Sequence, residues 1–117
     1  MSTKARVSTL IIDCQGKDLI EATKFWTAAL GRDPVEGDPA SAKYVSLEKV
    51  PGQVDLHLQK VDHESRIHLD IDAEDVEAEV ARLEALGAKR LEAVKSWVVM
   101  EAPTGHRFCV VKVAKPA

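Results

Sequence analysis

The chain is poor in aromatic residues. It has five among 117, at Phe25, Trp26, Tyr44, Trp97 and Phe108. Its core must therefore rest on aliphatic side chains, and each ring is a position to account for. Cysteine is equally scarce. Cys14 and Cys109 lie far apart and neither has a CxxC partner, so neither a structural zinc cluster nor a thioredoxin-type redox pair is expected. No block of Lys and Arg occurs, and the formal net charge is −3. Phosphate binding needs clustered cations, so nucleic acid is not the expected partner. The apolar runs are only a few residues long, far short of a bilayer span, so no membrane partner is expected. The opening MSTKARVSTLIIDC carries no signal-peptide apolar region. These absences together predict a cytoplasmic protein with reduced thiols.

What is present is ordinary for a soluble globular chain: 45% apolar and 30% charged residues. The length suits one domain, residues 1–117, with enough chain to bury a core unaided. RVSTLIIDC, residues 6–14, is β-branched and apolar and reads as a strand. Asp18 stands as an N-cap before a helix whose apolar positions are Leu19, Ala22, Phe25, Trp26, Ala29 and Leu30, with Gly31 as its stop. RDPVEGDPAS is broken by Pro34, Gly37 and Pro39 and reads as a short edge strand plus a loop. AKYVSLEKV and QVDLHLQKV flank Pro51-Gly52 as a hairpin, with Asp55, His57 and Gln59 on one face of its second strand.

The stretch RIHLDIDAEDVEAEVARLEALGAKR, residues 66–90, reads as strand, turn and helix. Its strand has Arg66, His68 and Asp70 on one face and Ile67, Leu69 and Ile71 on the other. Its helix starts near residues 73–75 and buries Val76, Val80, Leu83 and Leu86, with Gly87 ending it. AKRLEAV is a short strand. SWVVMEAPTGHRFCVVKV is a hairpin turning at residues 103–105, and residues 114–117 read as a frayed tail. The order is β-α-β-β-β twice, with module one at about 6–60 and module two at about 65–113. IID…DLIEATKFWTAALG and LDI…DVEAEVARLEALG echo one another, as duplication predicts. The fold class is α+β, with the helices over one face of antiparallel sheet. Arg66, His68 and Asp70 then look to the opposite side.

FWTAALG, HLDIDAEDVEAEVARLEALGA and WVVMEAPTGHRFCVV together resemble the vicinal-oxygen-chelate superfamily, which holds glyoxalase, drug-resistance and extradiol-dioxygenase proteins. The resemblance runs over about residues 7–113 and is strongest to the glyoxalase-like branch. It implies two βαβββ modules forming an open, curved, barrel-like sheet around a cavity, and a homodimer. It also implies a divalent metal held from the first strand, the strand opening module two, and a glutamate in the last strand. By position these fall at Thr9, Arg66 and Cys109. Arg66 cannot coordinate, so the expectation is a cavity without metal or other cofactor. Ala102 replaces the aspartate usual before Pro103 in the turn motif.

Such a cavity would bind a small organic molecule. In its acid–base form, of lyase or dehydratase type, His68 transfers the proton, Asp70 orients it, and Arg66 clamps an anionic group. His57, Gln59, Trp97 and Cys109 complete the ligand-binding wall. The alternatives are a metal-dependent lyase, isomerase or dioxygenase with a rearranged His57/His68 site, and a bleomycin-resistance-like protein that sequesters a drug.

Overall fold

The computed structural model describes residues 6–36 and 38–113. The elements are β1 (Arg6–Gln15), α1 (Ile20–Leu30), β2 (Pro34–Glu36), β3 (Tyr44–Leu47), β4 (Asp55–Val61), β5 (Arg66–Ala73), α2 (Val76–Ala85), β6 (Lys89–Val94), β7 (Trp97–Glu101) and β8 (Arg107–Lys112). This is β-α-β-β-β twice in an α+β chain, as the sequence pattern predicts. The stop at Gly37 and the tail at 114–117 lie outside the described residues.

Residues 9–67 form one compact unit, and the flanking segments form the other. In the first unit the strands run β2-β3-β4-β1, with β1 parallel to β4 and the other pairs antiparallel. In the second they run β6-β7-β8-β5, with β5 parallel to β8. The two units thus share one topology, as the sequence echo predicts.

In the first unit Leu19, Val45, Leu47, Leu58 and Ile12 make the buried cluster, with Trp26 and Ala22 of α1 packed on it. Asp18 stands one residue before the helix N-cap, and its Oδ1 accepts from Ile20 N–H at 3.0 Å. Gly31 closes the helix in the left-handed region at φ 66, donating its N–H to Thr27 O. The helical pattern overstates the buried stripe at Phe25, which is 61% exposed and sits edge-on to Trp26. At 100° per residue, Phe25 and Trp26 cannot both face the sheet.

In the second unit Val80 of α2 packs with Val98, Met100, Phe108, Val110 and Ala73. Asp75 caps α2 by accepting from Ala78 N–H at 3.0 Å. Leu86 is 66% exposed, because α2 ends at Ala85 and Leu86 already belongs to the turn. Gly87, at φ +107, lies against the β7–β8 turn, where an added Cβ would stand 3.1 Å from Pro103 Cγ. Ile71 packs on this cluster, but Ile67 and Leu69 are 57% and 38% exposed. The helix lies along β6, β7 and β8, so only the C-terminal end of β5 reaches its cluster.

Candidate functional site

The faces opposite the helices hold the polar side chains. In the first unit Leu58 lies in the core and Leu56 packs against it. By the two-residue period of a strand, His57 and Gln59 project from the other face of β4. Register sets Ile11 beside His57 and Asp13 beside Gln59. Gln59 Nε2 donates to Tyr44 Oη at 3.2 Å. Asp13 is buried at 3% exposure, and Arg66 Nε lies 3.9 Å from its Oδ2. Arg66 therefore makes its ion pair with Asp13 on β1, while its own side chain stays 42% exposed. Composition and period did not single out Asp13. The available signal was a lone acid at the end of the apolar run STLIID.

In the second unit His68 and Asp70 stand two residues apart on β5 and share a face. Their Nε2 and Oδ1 atoms are 3.7 Å apart, and the side chains keep 13% and 21% exposure. Parallel pairing with β8 sets Cys109 beside Asp70. Donor atoms of His68, Asp70 and Cys109 all lie within 4.8 Å of one another. Ser8 Oγ donates to Asp70 O at 3.2 Å and so ties this stretch of β5 to the start of β1. Trp97 is half-buried on β7, where Val98 and Met100 enter the core. Alternation therefore puts Trp97 and Val99 on the other face, with Val99 beside Cys109.

Cys14 behaves differently. It packs against the first-unit core, and its Sγ donates to Ile12 O at 3.3 Å. Burial pushes its thiol pKa up, and the Asp13 carboxylate adds to the effect.

The sequence-predicted residues thus fall in two groups. Arg66, His57 and Gln59 belong to the first unit; His68, Asp70, Cys109 and Trp97 belong to the second. The divalent ion implied by the family resemblance does not fit the positions carried over from it. Thr9 offers only a hydroxyl, and the Arg66 guanidinium is a cation held beside Asp13. The β5–β8 cluster does fit, with an imidazole nitrogen, a carboxylate oxygen and a sulfur. A cation bound there would supply Lewis acidity to a ligand oxygen.

Two repeated βαβββ units are the architecture of the vicinal-oxygen-chelate superfamily. The family model described as a glyoxalase-like domain matches residues 9–111, and the chain belongs to that family. No curated protein matches. Among solved structures, a hypothetical protein from Bacillus halodurans C-125 is similar at 14% identity and TM-score 0.72, over 98% of this chain and 99% of that one. A glyoxalase/bleomycin resistance protein/dioxygenase superfamily member from Vibrio splendidus 12B01 is similar at 19% and 0.61, over 93% and 98%. Methylmalonyl-CoA epimerase from Mycobacterium tuberculosis is similar at 18% and 0.59, over 98% and 94%. At these identities the likeness shows the fold alone. Among the described residues no helix is long and apolar enough to cross a membrane.

Proposed function

We propose that this protein binds a small organic molecule against the His68–Asp70 face of β5 and moves a proton on it. The observation that carries this reading is the His68–Asp70 couple, with Nε2 and Oδ1 3.7 Å apart and both side chains withdrawn from bulk water yet reachable. A carboxylate beside an imidazole holds the ring in one orientation, as proton transfer requires. Trp97 supplies an apolar wall on the same face as Cys109. Lyase and epimerase reactions both begin with such a proton removal, and methylmalonyl-CoA epimerase shares the fold.

The test is proton exchange in heavy water. Protein kept in chelator is incubated with a panel of small carboxylates and 2-substituted acyl thioesters, and loss of the α-proton is followed by NMR. Exchange with the unaltered chain that His68→Gln lowers by about a hundredfold or more, while ligand-induced thermal shifts persist, supports the reading. Thermal shifts without exchange for any panel member would make the protein a sequestering one. The homodimer implied by the family resemblance belongs to the same reading. It would sediment at twice the 12.8 kDa chain mass.

A further inference from the structure

On the face of the second unit turned away from α2, the strands set their side chains in rows. Val98 and Met100 of β7 and Phe108 and Val110 of β8 enter the core. Trp97, Val99 and Glu101 therefore share the opposite face with Arg107, Cys109 and Val111. Register sets Glu101 beside Arg107 and Val99 beside Cys109. Leu69 pairs with Phe108 in the parallel ladder, so His68, one residue earlier, falls in the row of Arg107. The two side chains spring from backbones about 4.8 Å apart, one strand spacing.

Arg107 Nε lies 3.5 Å from Glu101 Oε2, and the arginine side chain keeps 40% exposure. That contact engages Nε. The Nη groups carry the remaining N–H donors of the guanidinium, in a fork that matches a carboxylate. Lys89 stands beside Glu101 on its other side, so the row holds two cations against one carboxylate. Val99 and Cys109 form the next row, and Trp97 and Val111 the one after. This β7–β8 strip thus passes from charged to apolar over about 13 Å, the rise of four residues. The acids of the face lie to its sides, Asp70 and Asp72 on β5 and Glu92 on β6. The sequence pattern points to Arg66 for anion binding, but Arg66 lies in the first unit, paired with Asp13.

We propose that Arg107 is the anion-binding residue of this site, and that the ligand is a carboxylic acid whose apolar body lies along Val99, Val111 and Trp97. This assignment rests on the proton-transfer reading for the place of the ligand and adds its chemical class. When His68 takes the α-proton of a carboxylate, the C–H bond breaks and the proton goes to the imidazole. The electron pair spreads onto the carboxylate oxygens as an enediolate. A guanidinium on those oxygens offsets the second negative charge as it develops.

The test is isothermal titration calorimetry of the full chain with octanoate, its uncharged analogue octanamide, and the short acid acetate. Octanoate should bind, with octanamide and acetate each at least about tenfold weaker. Arg107→Gln should weaken octanoate at least about tenfold and abolish the preference for acid over amide. Arg107→Lys, which keeps the charge and loses the fork, should fall between the two. Arg90→Gln removes the same charge from the helix side of the sheet, where Arg90 pairs with Glu77, and should leave binding unchanged. Circular dichroism melts establish that each variant is folded before it is titrated. No binding of octanoate, equal binding of acid and amide, or a preference that survives Arg107→Gln would overturn the proposal. Calorimetry reads binding without turnover, so the two readings fail separately. An Arg107-dependent acid preference without α-proton exchange would sink proton transfer alone. Exchange on acyl thioesters without any acid preference would sink the Arg107 assignment alone.

Discussion

At the scale of single residues, the two cysteines occupy opposite chemical settings. Cys14 packs against an apolar cluster beside the Asp13 carboxylate, and both burial and that charge hold its proton on. Cys109 shares a cluster with an imidazole and a carboxylate. The thiolate is the reactive form, so a raised thiol pKa means slow alkylation at neutral pH. Cys14 should therefore react with iodoacetamide more slowly than free cysteine at every pH below its own raised pKa. Peptide mapping by mass spectrometry across a pH series checks this, and Cys14 labelling as fast as free cysteine near neutrality would contradict the packing described. The Arg66–Asp13 pair teaches a related point. Arg66 has acidic neighbours in sequence, yet its partner is a buried acid on β1, 53 positions away (66 − 13 = 53).

At the scale of elements, α2 is held at its start by Asp75 and along its length by two ion pairs. Asp75 satisfies one of the four backbone donors that a helix start leaves open. Asp75→Ala should cost about 1 kcal/mol in chemical denaturation, and Asp75→Asn, which keeps the acceptor oxygen, should recover most of it. Arg82 donates to both carboxylate oxygens of Glu79 at 2.9 and 2.6 Å, and Arg90 of β6 reaches Glu77 at 2.6 Å. These side-chain hydrogen bonds hold both glutamates below their ordinary pKa, against an opposing effect of burial. A depressed carboxylate pKa stabilises the fold fully above the unfolded-state value. That contribution is lost as pH falls through the folded-state value. The urea midpoint should therefore drop below about pH 4, and Glu79→Gln should shrink the drop. An identical acid profile in that variant would remove the pair from the account of stability.

At the scale of the whole molecule, two buried clusters share no residue. Leu58 and Met100 are both fully buried, one in each. Leu58→Ala and Met100→Ala should each cost about 2–5 kcal/mol by urea denaturation. With no shared partners, the double variant should equal the sum within about 0.5 kcal/mol. A larger discrepancy would mean that the two cores are coupled. Phe25 offers the contrast, since its ring is 61% exposed. Phe25→Ala should cost about 1 kcal/mol or less, mostly through its edge-to-face contact with Trp26.

Element order, both helix stops, both hairpins and the repeated β-α-β-β-β pattern were legible in the amino-acid sequence. Each is set by local chemistry: alternation along strands, a 3.6-residue period, capping acids, and glycine or proline at turns. Which set on β8 enters the core, Phe108 and Val110, was decided by the packing. Only the tertiary structure decided which sequence-distant groups meet. Cys109 reaches His68 and Asp70 because β5 and β8 pair in parallel at one register, and a shift of one residue would turn Cys109 to the helix side. Arg66 finds Asp13 across two strands for which local sequence holds no pairing rule. The exposure of Ile67, Leu69 and Leu86 likewise depends on where α2 lies and ends, a matter of packing that periodicity does not contain.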